Sequence, residues 1–336
     1  NCIKNREFSK IDKNKIKRII SAYNLSMAEM HSKHLYYASG EWTPLYEKYL
    51  KTIIQPLREH DLEQVSKLYS NFFREPLSKG LTGLPKMETR FFNKKPNFLN
   101  KIWYVNDITH RIRLLQRLYP NLKLEELETP NIGNPFGYFL KGKFIQAGSD
   151  YQLYYSLNIG NILKNKNKKS KKTVLELGGG YGGMAYFLMK RFSENTQYIN
   201  IDLPEALALC SFYLMQAFPE KKFQLFGEPG KSEDFDFILL PSFKIDDLKA
   251  NSVDLIFNSY SLAEMNKEAV QNYCIHFDRI KPKFIYHVNH IKNSEAKGDD
   301  FFSDLSGYSL FSRTKANWNA GKSLTSDEYE FLYARN

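Results

Sequence analysis

Cysteine is scarce. Cys2, Cys210 and Cys274 are the three in 336 residues, and their spacing suits neither a disulfide framework nor a zinc site. That argues against a stapled secreted scaffold and for a reducing, cytosolic setting. Long apolar runs are missing as well, since none approaches the roughly 20 residues of a membrane-spanning helix. No stretch has the layout of a signal peptide, although the chain opens on Asn1 rather than Met, which leaves targeting open. Metal-binding and nucleic-acid-binding signatures are also absent. The expectation is a cytoplasmic protein with no required metal and no nucleic-acid partner. Its charge is compatible with peripheral contact at the inner face of a membrane, and an oligomer is not excluded.

Aromatic residues make up 15% of the chain, with 22 Tyr and 25 Phe, and the formal charge is +11. The excess of lysine is spread along the chain, which reads mainly as solvated surface with a slight bias toward an anionic partner. Residues 1–130 read as a helical accessory or cap region. Leu62, Val65, Leu68 and Tyr69 recur at helical spacing, as do Ile108, Ile112, Leu115 and Leu118. A turn-rich segment at 80–85 separates the two. Residues 131–170 read as hairpin and connector. Lys141-Gly142 separates two short apolar runs, a tyrosine-rich helical stretch with Tyr151, Tyr154 and Tyr155 follows, and a lysine run at 164–172 closes the segment as an exposed connector.

From 171 to 336 the pattern alternates. Strands are expected at 173–177, 197–201, 235–240, 253–257 and 284–288, with helices at 183–192, 204–218 and 265–275. A late strand pair ends near Tyr333. Alternation of this kind predicts an α/β fold with a mostly parallel, doubly wound sheet.

The most informative segment is Val174-Leu175-Glu176-Leu177-Gly178-Gly179-Gly180-Tyr181-Gly182-Gly183. A strand ends, glycines turn the chain, and a helix begins. Bare backbone and free N–H groups at a helix start suit a nucleotide-like cofactor at the carboxyl edge of a sheet. Gly178, Gly180 and Gly183 also satisfy the spacing of dinucleotide-binding loops, so an NAD-linked oxidoreductase has to be weighed. Glu176 argues against it, because a carboxylate there repels a pyrophosphate but accepts a hydrogen bond from an ammonium. Asp202, at the end of the next strand, can accept both hydroxyls of a ribose. It can also serve as the N-cap of the helix that starts at Pro204. Ser242 and Phe243 follow the third strand, where an adenine would be met, although an acid often stands at the position of Ser242.

With those anchors placed, the chain resembles class I S-adenosylmethionine (SAM)-dependent methyltransferases, and more closely the bacterial sugar O-methyltransferase family. The carrying segments are 175–185, Ile199-Asn200-Ile201-Asp202-Leu203-Pro204-Glu205, Asp254 through Met265, and Tyr286-His287-Val288-Asn289. The likeness covers about residues 130–292. It implies a Rossmann-like methyltransferase domain with SAM as cofactor, held by Glu176, Gly178, Gly179, Gly180, Tyr181, Gly182, Asp202, Leu203, Ser242, Phe243, Asn258 and Ser259. It also implies a glycan or nucleotide-sugar acceptor and a role in surface-polysaccharide tailoring.

Methyl transfer needs an aligned acceptor oxygen and, for a sugar hydroxyl, a base. His287, His290 and Glu264 stand beyond the fourth and fifth strands and are the candidates. Tyr138, Tyr151, Tyr154 and Tyr155 are candidates for a lid or a platform under a sugar ring. Two further readings stand beside this one: a methyltransferase of another small or phosphorylated acceptor, and a SAM-fold module without catalysis in a larger assembly.

Overall fold

The computed structural model describes residues 11–38, 42–78, 97–164, 171–292, 296–302, 305–319 and 326–336. The expected turn at 80–85 and residues 165–170 of the lysine run lie outside that set.

The N-terminal region is helical: α1 (Lys13–Met30), α2 (Trp42–Leu45), α3 (Lys51–Arg58), α4 (Leu62–Ser70) and α5 (Phe98–Leu118). Asp12, Asp61 and Asn97 cap α1, α4 and α5 by accepting a backbone N–H of the first turn. The hairpin expected next is present as β1 (Gly137–Leu140) and β2 (Lys143–Gln146). Lys141 and Gly142 both have positive φ, the conformation a two-residue hairpin turn demands. The tyrosine-rich stretch forms α6 (Ser149–Ile162).

Thereafter strand and helix alternate: β3 (Lys172–Leu177), α7 (Gly183–Phe192), β4 (Thr196–Asp202), α8 (Pro204–Ala217), β5 (Phe223–Leu225), β6 (Phe237–Pro241), β7 (Leu255–Ser259), α9 (Lys267–Ile280), β8 (Phe284–His290), β9 (Tyr308–Lys315) and β10 (Glu328–Arg335). Asn266 caps α9 through Ala269 N–H, so the helix starts after Met265 and runs to Ile280, longer than the expected 265–275. The edge strand β5 was not anticipated, and at three residues it has little periodicity to read.

The large sheet has the order β5-β6-β4-β3-β7-β8-β10-β9. The pairs from β5 to β8 are parallel, and β10 and β9 close one edge antiparallel. This is the expected α/β architecture, a Rossmann-like doubly wound sheet beside a helical N-terminal region. From β3 the chain winds outward one way through β4 and β6 and the other way through β7 and β8. The crevice beyond the carboxyl ends of the strands at that reversal is where such sheets bind ligands.

Each face of the sheet carries its own core. Val174, Tyr198, Leu255 and Phe257 pack on one side, and Leu175, Leu177, Ile199 and Ile201 on the other. Helices cover both faces, so the strands read as near-continuous apolar runs. Helix α8 is buried from Pro204 through Met215 because α1 lies across its outer side with Ile16, Ile19, Ile20 and Tyr23. One core therefore runs from α1 through α4, α5 and α6 to the first sheet face.

Candidate active site

The glycine turn after β3 is built by close contacts. At Gly178 φ is +77°, and a Cβ there would stand 2.2 Å from Ser261 Oγ. Gly180 donates its N–H to Asp202 Oδ2 at 2.9 Å, and Leu203 N–H is bonded to Asp202 Oδ1 at 2.8 Å. Asp202 thus ties the turn after β3 to the start of α8. Its carboxyl oxygens keep further acceptor capacity.

Glu176 sits on the same sheet face as Asp202 and is buried, with Tyr198 donating its hydroxyl at 2.5 Å. Burial pushes the Glu176 carboxyl up to about 8 and Asp202 up to about 7. Both carboxyls accept hydrogen bonds from neutral donors and have no cationic partner among the described residues, so burial dominates their shifts and a cation or further donor in the cavity would favour their ionised forms.

Both line a cavity of about 620 Å³ at the reversal point of the sheet. Gly178, Gly179, Gly180, Tyr181, Leu203, Ser242 and Ser259 line it too. Tyr181 contributes its ring, since its hydroxyl donates to Gln152 Oε1 at 2.9 Å and accepts from Gln146 at 3.0 Å.

Three of the expected cofactor contacts are placed elsewhere. Gly182 starts α7 at φ +90° and packs toward Cys210 and Leu214, outside the lining. Phe243 is buried edge-on against Phe226, with centroids 5.7 Å apart. Asn258 lies on the opposite sheet face, where it donates to Leu177 O at 2.9 Å and accepts from Asn289 at 2.9 Å. Each has a packing role that its place in the motif does not reveal.

The candidate bases also separate. His287 is 0% exposed and stacked on Phe331 at 4.5 Å and 5°, with Phe302 edge-on at 5.1 Å. Burial lowers its pKa to about 3. It is absent from the cavity wall. As an acceptor-facing base it is therefore corrected by the structure: odd-numbered residues of β8 face the second core, even-numbered ones the cavity side.

His290 is on the cavity side and lines it. Its Nδ1 lies 2.9 Å from Asp327 Oδ1, and its ring is 5.5 Å from Tyr260. Glu264 also lines the cavity and accepts from Trp42 Nε1 at 2.7 Å. Replacing His287 by Ala is expected to cost stability, about 2–4 kcal/mol from lost packing. The cavity wall, which lacks His287, should keep its shape, and thermal melts would measure the loss.

Several lining residues carry no sequence motif. Tyr36 and Tyr37 come from the N-terminal region, and Ser242 Oγ donates to Tyr36 O at 3.0 Å. Tyr36 also holds Asp246 and His276 through its hydroxyl. Tyr260 has φ +66°, a strained conformation for a bulky residue and of the kind that clusters at functional sites. Trp42 and Trp318, two of the three tryptophans, line the cavity, and their rarity was the signal available. Of the platform tyrosines, Tyr151 and Tyr155 reach the wall. Tyr154 is turned to Glu330, and Tyr138 packs beside Tyr104.

Among the described residues no cluster of three or more His, Cys, Asp or Glu could hold a metal ion, and no helix is long and apolar enough to cross a membrane.

Solved structures similar to this chain include the small RNA methyltransferase HEN1, at 15% identity and TM-score 0.40, matched over 56% of this chain and 25% of that one. Magnesium protoporphyrin IX methyltransferase (ChlM) from Synechocystis PCC 6803, with bound SAM, is similar at 12% identity and TM-score 0.39 over 56% and 77%. A SAM-dependent methyltransferase from Aquifex aeolicus is similar at 19% identity and TM-score 0.36 over 56% and 92%. All three are methyltransferases. No protein-family model matches the sequence, and no curated protein does.

Proposed function

We propose that the chain is a SAM-dependent O-methyltransferase acting on a sugar hydroxyl of a glycan. The observation that carries the cofactor is the pair Glu176 and Asp202, two cavity-lining carboxyls on one sheet face, joined by a glycine turn that lines the same cavity. Glu176 suits the methionyl ammonium, Asp202 the ribose hydroxyls, and the N–H groups of the turn the methionyl carboxylate. Ser242 and the Tyr36 segment stand where they would border the adenine. When bound, the cofactor supplies a methyl group on a positively charged sulfur.

His290 takes the acceptor's hydroxyl proton at Nε2. Asp327 orients the ring by accepting from Nδ1–H, the arrangement in which a carboxylate fixes the tautomer of a histidine base. With SAM held by Glu176, Asp202 and the glycine turn, the deprotonated acceptor oxygen would receive the methyl group, and S-adenosylhomocysteine would be the leaving product. Trp42, from the N-terminal region, lines the cavity and donates to Glu264, which fixes that carboxylate in the wall.

The test is calorimetric titration with S-adenosylhomocysteine, with NAD in parallel. Micromolar binding of the homocysteine ligand alone is the expected result, about −8 kcal/mol, and binding of NAD alone overturns the reading. The titration carries a pH signature. Glu176 near 8 and Asp202 near 7 hold protons in the free protein, and the ligand favours the ionised forms. Affinity should therefore rise from pH 6 to pH 8, by at most tenfold per carboxyl per unit. Protons should be released, so the observed enthalpy should vary with the buffer's ionisation enthalpy.

A further inference from the structure

We propose that helix α6 completes the cofactor site: Gln152 donates its side-chain amide to the methionyl carboxylate, and Gln146 and Tyr181 are the positioning residues that aim it. The inference rests on the methyltransferase reading above and adds to it a polar contact from a helix outside the doubly wound sheet.

Helix α6 runs beside α7 in the same direction. Gln152, in its first turn, meets Gly183 at the start of α7, and Gly160, near its end, meets Phe192 at the end of α7. Bare backbone makes both contacts possible. A Cβ at Gly183 would stand 2.2 Å from Gln152 Nε2, and one at Gly160 would stand 2.3 Å from the Phe192 ring. Packing of this kind brings the first turns of both helices to the cavity, where Gln152, Gly183 and Met184 line the wall.

Gln152 is 6% exposed. Its Oε1 is taken, because Tyr181 donates its hydroxyl to it at 2.9 Å. The Tyr181 oxygen in turn accepts from Gln146 Nε2 at 3.0 Å. Gln146, on β2, is buried, and Ser149 at the start of α6 donates its hydroxyl to the Gln146 carbonyl at 2.7 Å. The donors therefore run one way, from Gln146 through Tyr181 to Gln152. That direction leaves the Gln152 NH2 with no acceptor among the described residues. A buried donor held in that state suits an acceptor that arrives with a ligand.

The start of α7 offers donors of its own. No side chain caps it, so the N–H groups of its first turn have no side-chain acceptor, and a helix of ten residues adds partial positive charge there. Glu176, on the strand that leads into the same turn, disfavours a simple anion. A zwitterion satisfies both features, with its carboxylate toward Gln152 and α7 and its ammonium toward Glu176. The amino-acid end of SAM has that chemistry.

Calorimetry tests the assignment by comparing S-adenosylhomocysteine with its decarboxylated analogue, which keeps the ammonium, the ribose and the adenine. Gln152→Met should weaken S-adenosylhomocysteine by about 10- to 100-fold, the worth of a hydrogen bond to a charged group, and leave the analogue within about twofold. Tyr181→Phe keeps the ring in the wall but releases the amide. It should show the same selective loss at smaller size, and it carries the test if the methionine variant fails to fold. A merely structural role for these residues, or a Gln152 oxygen turned to the ammonium, would weaken both ligands alike, and that result overturns the proposal. Unchanged affinity for S-adenosylhomocysteine in both variants overturns it too, as does a natural chain that binds the analogue equally well. A natural chain that binds neither ligand is seen before any variant is made, and it overturns the methyltransferase reading and the proposal with it.

Discussion

Asp202→Ala is expected to weaken S-adenosylhomocysteine binding by about 2–4 kcal/mol, roughly 30- to 1000-fold in Kd. The carboxylate does two things in this fold. It fixes the glycine turn through Gly180 N–H and the start of α8 through Leu203 N–H, and it leaves lone pairs facing the cavity. Alanine removes both the ribose acceptors and the tether of the turn. The fold should survive, because α8 is held by burial from Pro204 through Met215 and not by its first residue. Asp202→Asn retains one oxygen acceptor and should lose less. Calorimetry on the three proteins, with thermal melts as the control for folding, measures the series. Binding of the alanine variant within threefold of the natural chain would remove Asp202 from the site.

The N-terminal half of that site was legible because it is local. Strand, glycine turn and helix follow one another between Val174 and Gly183, and each has a distinct residue chemistry. Asp202 stands at the end of the next strand, where a short run of sequence again places it. The doubly wound sheet was legible for the same reason, since apolar strands and helical segments alternate. What escaped was whatever depended on strand register. Glu176 pairs laterally with Phe257, and Phe257 with Tyr286. Those three share a face, so Ser259 and His290 share it too, while Asn258 and His287 turn to the other core. From the sequence of β8 alone, two histidines three residues apart look equally placed. Only the register with β7 and β3 separates them.

The acceptor end was largely illegible for a different reason. Trp42, Tyr151, Tyr260, Trp318 and Glu328 come from five separate stretches of the chain and carry no common spacing. Asp327, the partner of His290, lies 37 residues away on the turn into β10. Such a cluster exists only after the antiparallel pair β9 and β10 has closed the sheet and the N-terminal region has folded onto α8 and α9. The buried tyrosines of α6 illustrate how composition misleads here: Tyr155 reaches the cavity, while the neighbouring Tyr154 donates to Glu330 and belongs to the packing between α6 and β10.

His290→Ala should lower turnover of a bound acceptor by about 10²–10⁴-fold while S-adenosylhomocysteine affinity stays within about twofold. The two effects separate because His290 ends β8, away from the glycine turn, and touches Tyr260 and Asp327 rather than Glu176 or Asp202. Added imidazole should restore part of the lost rate if the missing function is proton acceptance. Asp327→Asn replaces the charged acceptor by a neutral amide that can present either its oxygen or its NH2 to Nδ1, so the tautomer is no longer fixed; kcat should fall with KM nearly constant, and Asp327→Glu should recover more than Asp327→Asn. A rival base is built into the same wall: Glu264, with Trp42 on one oxygen. If His290→Ala retains turnover within a few fold and Glu264→Gln loses it, the proton goes to the carboxylate, and the histidine serves only to position the acceptor.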